Sequence, residues 1–226
     1  MKTLTSHINE ALKIGKNLSK FSTYSCQPKT KQELEKIINN RIVEEGPECD
    51  LNDIDVSLID DMSAVFYRSS FNGDISKWNT SKVNNMMGMF ASSEFNGNIS
   101  DWNVSKVKDM SRMFKDSQFN GDISNWDVSN VVDMSYMFYD SEFNNDISNW
   151  DVSKVENVTS MFYGSKFNQD LSKWNVSNVN DMSHMFVRSK FSGDISDWKI
   201  NKKCDTNFMF YNCPIKDEFK PKSLQK

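Results

Sequence analysis

The stretch MSYMFYDSEFNNDISNWDVSKV, residues 134–155, decides the fold, because nearly the same words stand before it and after it. Tryptophan falls at 78, 102, 126, 150, 174 and 198, a step of 24. Phenylalanine keeps that step at 66, 90, 114, 138, 162, 186 and 210, and again at 71, 95, 119, 143, 167 and 191. A period of this length indicates stacked coils, each a supersecondary unit resting on its neighbour. No single unit can bury Trp126 or Phe138 alone, whereas identical neighbours stack them into ladders of like on like.

Within one unit Ile123, Trp126, Val128, Val131, Met134, Met137, Phe138 and Phe143 are apolar. The alternation in ISNWDVS, with Trp inward, Asp outward and Val inward, predicts a strand. Spacings of three and four in V-x-x-M-x-x-M-F predict a short helical or 3₁₀ turn. The polar run YDSEFNNDIS reads as a return loop. Strands one coil apart are expected to pair in parallel at about 4.8 Å.

Phase-matching carries the array from residue 51 to residue 218, with Ile54 in the tryptophan position at one end and Ile215 in a phenylalanine position at the other. Ahead of it, Leu4, Ile8, Ala11, Leu12, Gly15 and Leu18 follow helical spacing. A second helix is predicted from the capping box Thr30–Glu33, through Leu34, Ile37, Ile38 and Ile42, to Gly46-Pro47. The expected fold class is α/β: a leucine-rich-repeat-like solenoid of seven 24-residue coils with a parallel strand face, capped by an N-terminal pair of helices. The expected division is 1–50 helical cap, 51–218 solenoid, 219–226 basic tail. A capped array of this kind is expected to be a monomer.

Charge is unevenly spread. Residues 1–50 hold 8 basic and 7 acidic side chains, residues 51–198 hold 12 and 21, and residues 199–226 hold 7 and 3. The acidic middle repels phosphate backbones, which argues against a nucleic-acid partner. Apolar runs are too short to span a membrane. The opening MKTLTSHINEALKIGKNL has no continuous apolar core and reads as no export signal. Cys26, Cys49, Cys204 and Cys213 form no C-x-x-C pair, and a Cys204–Cys213 bridge would need an oxidising compartment.

Little points to catalysis or a cofactor. His7 and His184 stand in no zinc-ligand spacing, and no glycine-rich phosphate loop occurs. The repeated serines read as architectural, satisfying backbone groups at coil corners. The stacked carboxylates Asp127 and Asp151, or the row Asp122, Asp146 and Asp170, raise calcium binding as a minor alternative. The outward positions beside tryptophan carry more weight: Lys77, Asp101, Asn125, Asn149, Lys173 and Asp197 before it, and Asn79, Asn103, Asp127, Asp151 and Asn175 after it. A rigid scaffold holding a polar row of varied charge suits recognition of a protein partner, and a solvated face is the plainer alternative.

The unit I-S-x-W-D-V-S-x-V-x-x-M-S-x-M-F-x-x-S-x-F-N-x-D resembles the BspA-type leucine-rich repeat. Its likeness is greatest to the M-F-x-x-S-x-F-N-x-D-I-S-x-W-D-V-S variant common in mycoplasma lipoproteins and gut-bacterial surface proteins. Met209-Phe210-x-x-Cys213 is similar to that family's A-F-x-x-C corner. The resemblance implies a curved solenoid without cofactor, engaged in adhesion or protein binding at a cell surface. The lack of an export signal instead points to the cytoplasm or a virion. A structural component of a bacterial envelope or bacteriophage particle is the alternative function.

Overall fold

A computed structural model describes residues 24–225. The first expected helix, over residues 4–18, and His7 lie outside the described residues. Successive units lie in register, joined by parallel bridges from Asp61 through Asn85, Asp109, Asp133, Asn157 and Asp181 to Asp205.

The pairing falls on the V-x-D-M-S-x-M-F segment and not on ISNWDVS. The N–H groups of Met134, Tyr136, Phe138 and Asp140 donate to the carbonyls of Asn157, Thr159, Met161 and Tyr163 in the next unit, at 3.0, 2.9, 2.9 and 2.7 Å. Between them, Met137, Tyr139 and Ser141 donate back to Met134, Tyr136 and Phe138 at 3.2, 3.2 and 3.4 Å, closing tight turns. Tyr136 and Asp140 adopt φ of +58° and +47°. The predicted helical turn therefore does not form. The N–H groups a helix would satisfy internally are claimed by the neighbouring unit, and left-handed residues recur in every coil to aim them there.

The tryptophan segment is likewise built from turns. Trp126 donates to Ile123 and Val131 to Val128, at 3.2 and 2.9 Å. The Oδ1 atoms of Asp122, Asp127 and Asp133 accept the N–H groups of Ser124, Ser129 and Ser135 at 2.9, 3.1 and 2.7 Å. Such local bonds offer the backbone an alternative to a strand. The side chains still fall as the alternation requires, with Trp126 and Val128 buried and Asp127 exposed.

The core is a set of ladders. Phe66, Phe90, Phe114, Phe138, Phe162, Phe186 and Phe210 stack with centroid steps of 5.4 to 5.8 Å. Phe71, Phe95, Phe119, Phe143, Phe167 and Phe191 form a second column. Each tryptophan indole reaches back to the preceding unit, Trp126 Nε1 donating to the Ile99 carbonyl at 3.1 Å. A further column is polar. The Oδ1 atoms of Asn72, Asn96, Asn120 and Asn144 each accept the N–H of the asparagine 24 residues on, at 2.8 Å, and Asn168 passes to Ser192. Glycine is forced at one close approach, where a Cβ on Gly73 would collide with the carbonyl oxygen of Cys49.

The ends are closed differently. Helix α1, Lys31–Glu45, starts at Thr30, whose hydroxyl accepts the Glu33 N–H at 3.2 Å, and stops at Gly46 with φ of +92°. The Glu33 carboxylate bonds the Lys29 N–H at 2.7 Å, one residue before its expected partner. Leu34 and Ile38 are buried on the first coil, and Arg41 clamps Asp53 at 3.1 Å and the Asp50 carbonyl at 2.9 Å. At the far end residues 219–225 do not form a free tail. Ile195 donates to the Phe219 carbonyl at 2.9 Å, Pro221 is buried, and Phe219 and Leu224 pack on the core. The paired ladder itself ends unpaired on both sides within residues 24–225. Among the described residues, the carbonyls of Asp61, Ser63, Val65 and Tyr67 have no donor, and the N–H groups of Thr206, Phe208, Phe210 and Asn212 no acceptor.

Candidate functional site

All eleven polar residues flanking the tryptophans are exposed. They stand at a turn and not on a strand, and the two rows differ in what holds them. Asn79, Asn103, Asp127, Asp151 and Asn175 spend Oδ1 on the N–H of the serine two residues on, at 3.0 to 3.2 Å. They are turn caps first. In the other row Asp197 pairs with Lys222 at 3.0 Å, leaving Lys77, Asp101, Asn125, Asn149 and Lys173 as the side chains presented outward. Asp122, Asp146 and Asp170, the calcium alternative, cap Ser124, Ser148 and Ser172 in the same way. Among the described residues no group of three or more His, Cys, Asp or Glu is arranged to hold a metal ion.

The caps make stability depend on acid. Backbone N–H bonds from Ser124 and Ser148 hold the carboxyls of Asp122 and Asp146 below the usual range, and the Ser153 hydroxyl, then its N–H, does so for Asp151. A folded-state pKa lowered in this way adds stability above the unfolded value of about 3.9, and that stability is lost as pH falls through the folded value. Thermal melts taken downward in pH are expected to hold steady to about pH 4 and then fall. Asp151→Asn, which copies Asn103 and Asn175 of the same column, should flatten that fall. A melting temperature indifferent to acid would contradict the assignment.

The ladder segment presents a second surface that the sequence reading passed over. Its left-handed positions recur in every unit and mostly turn side chains to the surface, whereas Ser160 is buried. One column runs Ala64, Gly88, Arg112, Tyr136, Ser160, His184 and Phe208, with φ between +54° and +61°. Three residues on stand Tyr67, Ala91, Lys115, Tyr139, Tyr163, Val187 and Tyr211, followed by Arg68, Ser92, Asp116, Asp140, Gly164, Arg188 and Asn212. These columns change character at nearly every step, while the inward columns hardly change.

The aromatic rings there are organised. Tyr139 and Tyr163 stack at 4.6 Å, and His184 lies on Phe208 at 5.4 Å. Arg68 sits over Tyr67, Arg112 over Tyr136 and Lys115 over Tyr139, each about 5 Å from the ring centre. Burial, with the nearby Asp116 charge, raises the pKa of Asp140, and burial, with Asp140, raises that of the Tyr139 phenol. Tyr67, Phe208 and Tyr211 are about half exposed or more. The signal that could have found this face is column variability across the repeats, which needs no assignment of strands.

The four cysteines are free thiols. Burial pushes the Cys204 thiol up to about 11 and raises those of Cys213 and Cys49. Raised values keep these three thiols protonated near neutral pH, and the Cys213 thiol donates to the Phe191 carbonyl at 3.2 Å.

A family model described as Mycoplasma protein of unknown function, DUF285, matches residues 38–143 and again residues 117–221. The two matches overlap and together take in most of the repeats. No curated protein and no solved structure matches the chain.

Proposed function

This chain belongs to the DUF285 family of Mycoplasma proteins of unknown function, and from that premise we propose that it is a non-enzymatic, protein-binding repeat scaffold. The proposed architecture is a leucine-rich-repeat-like solenoid of seven coils, in keeping with the BspA-type motif of its repeats. The observation that carries the reading is the contrast between columns. Inward residues repeat almost unchanged, yet the outward columns of the ladder mix Tyr, Arg, Lys, His and Phe on one unvarying backbone. Aromatic and arginine side chains are those most enriched where proteins recognise proteins. Held by their stacking, they lose less freedom on binding than free side chains would.

The ladder face replaces the tryptophan-flanking rows as the proposed binding surface, because five members of those rows are occupied as turn caps. Two variants of equal size separate the faces. Tyr136→Ser, Tyr139→Ser and Tyr163→Ser together strip the ladder face, and Asp101→Ser, Asn125→Ser and Asn149→Ser strip the tryptophan corner without touching a cap. With cross-linking in a host-cell extract, the first variant is expected to lose the partner captured by the parent and the second to keep it. The reverse outcome would return the site to the tryptophan corner, and capture unaffected by either variant would refute both surfaces.

A further inference from the structure

Three successive units differ sharply on the ladder face. The first carries Tyr67 and Arg68, the third Arg112, Lys115 and Asp116, and the second only Gly88, Ala91 and Ser92. The missing side chains leave a notch of about 420 Å³, floored by Gly88 and Ala91 and walled by Tyr67, Arg68, Arg112 and Lys115. That volume lies within the range of ligand-sized clefts. Met87, about two-fifths exposed, forms an apolar lip.

Nothing in the fold requires the small residues. Gly88 has φ of +60°, but the same column holds Arg112 and Tyr136 at +59° and +58°. A Cβ added to Gly88 would meet only the Ala91 Cβ, at an ordinary 3.9 Å. The backbone is the same in every unit, so the notch is a property of the side chains chosen there.

The charge around it runs against the rest of the body. Residues 51–198 hold 12 basic and 21 acidic side chains, yet three of the basic ones gather here. The single acid, Asp116, is engaged by Lys115 at 2.6 Å. Arg68 and Arg112 have no carboxylate partner among the described residues and rest instead over Tyr67 and Tyr136. A guanidinium steadied by a ring keeps its N–H donors available for an incoming carboxylate.

We infer that this notch is the recognition pocket for an acidic side chain, Asp or Glu, carried beside an apolar residue on a partner polypeptide. The inference rests on the reading of the ladder face as a binding surface. The carboxylate meets Arg68 and Arg112 across the notch, and the neighbouring apolar group lies on Met87, Ala91 and the Tyr67 ring.

The test fills the notch with residues the fold already accepts. Gly88→Tyr with Ala91→Tyr reproduces the Tyr136–Tyr139 pair found two units on, and a thermal melt checks that folding is kept. The probe is a short synthetic peptide of alternating Glu and Phe, with a Lys-for-Glu peptide and inorganic phosphate as controls, followed by amide NMR shifts at low salt. Shifts are expected at residues 67–116, with affinity reduced about tenfold or more in the filled variant and in Arg112→Gln, and no response to the Lys peptide. Equal affinity in the filled variant, equal response to the Lys peptide, or no response to the Glu peptide overturns the proposal. Phosphate matching the peptide in affinity would assign the notch to free anions and overturn it also. Shifts centred instead on Tyr139, Tyr163 or His184 would overturn the notch and leave the wider face standing.

Discussion

Phe138→Ala is expected to lower the unfolding free energy by about 3–5 kcal/mol, the range for deleting a buried phenyl ring from a close-packed core. The ring has no exposed surface. It is stacked between Phe114 at 5.8 Å and Phe162 at 5.7 Å, and meets Phe143 of its own unit at 4.2 Å. The stack is continuous on both sides, so the rings next door cannot close the gap without leaving their own partners. Phe210→Ala, at the end of the same column with Phe186 stacked on it at 5.8 Å and the Lys220 ammonium over the ring at 5.9 Å, should cost clearly less, because the ring is only partly buried. Urea melts of the two variants decide the matter: equal losses would contradict a core in which each unit is held by its neighbours.

Trp126→Ala is the second large effect, again about 3–5 kcal/mol. It removes a ring only 4% exposed and also takes from the Ile99 carbonyl one of its two donors, Nε1 at 3.1 Å, leaving the Trp102 N–H at 3.2 Å. Trp126→Phe separates the two causes. It keeps most of the packing and removes one of the carbonyl's two hydrogen bonds, for an expected loss of about 0.5–1.5 kcal/mol from the bond itself. The indole bond points backward in every unit, so Trp198 at the end of the column keeps its own, to the Leu171 carbonyl at 2.9 Å. Trp198→Ala should therefore cost nearly as much as Trp126→Ala, less only what a following ring would have added. A loss at Trp198 below half of that at Trp126 would show that forward stacking outweighs the backward bond.

The inward residues were legible because burial depends on periodicity, and the 24-residue step fixes that period whatever the backbone does between. Every tryptophan and phenylalanine of the central units lies where the pattern requires. The local backbone was not legible. Alternation in I-S-x-W-D-V-S looks the same whether the chain is a strand or two capped turns, and the asparagines and aspartates that form the caps also read as surface polarity. In M-S-x-M-F the spacing of three fits a helical turn, but it also fits successive turns whose alternate N–H groups leave the unit. Of the twelve residues other than glycine at positive φ, Asp116, Asp140, His184 and Asn212 are of types that favour it, but Arg112, Tyr136 and Phe208 in the same columns are not, so no column gives a consistent sign in the sequence. The difference between the expected face and the proposed one follows from this single cause. With the strand assigned to tryptophan, its flanking positions become the outward face, and the variable columns of the ladder fall in what reads as a helical turn.

The open ladder gives the molecule a plug and a socket. Among the described residues, its last rung leaves four N–H groups without a partner, at Thr206, Phe208, Phe210 and Asn212, and its first rung four carbonyls, at Asp61, Ser63, Val65 and Tyr67. Two plugs cannot join, since donors would face donors, and two sockets fail for the same reason. A plug and a socket match in spacing, because they are the same rung seen from its two sides, and a joint that repeats head to tail without closing makes a filament. What stands in the way is helix α1. With Leu34 and Ile38 pressed onto the first coil, it holds a second copy off by roughly a helix diameter of 10 Å, where a rung needs about 4.8 Å. The short helix thus stands where a stopper would stand at the socket end of the stack.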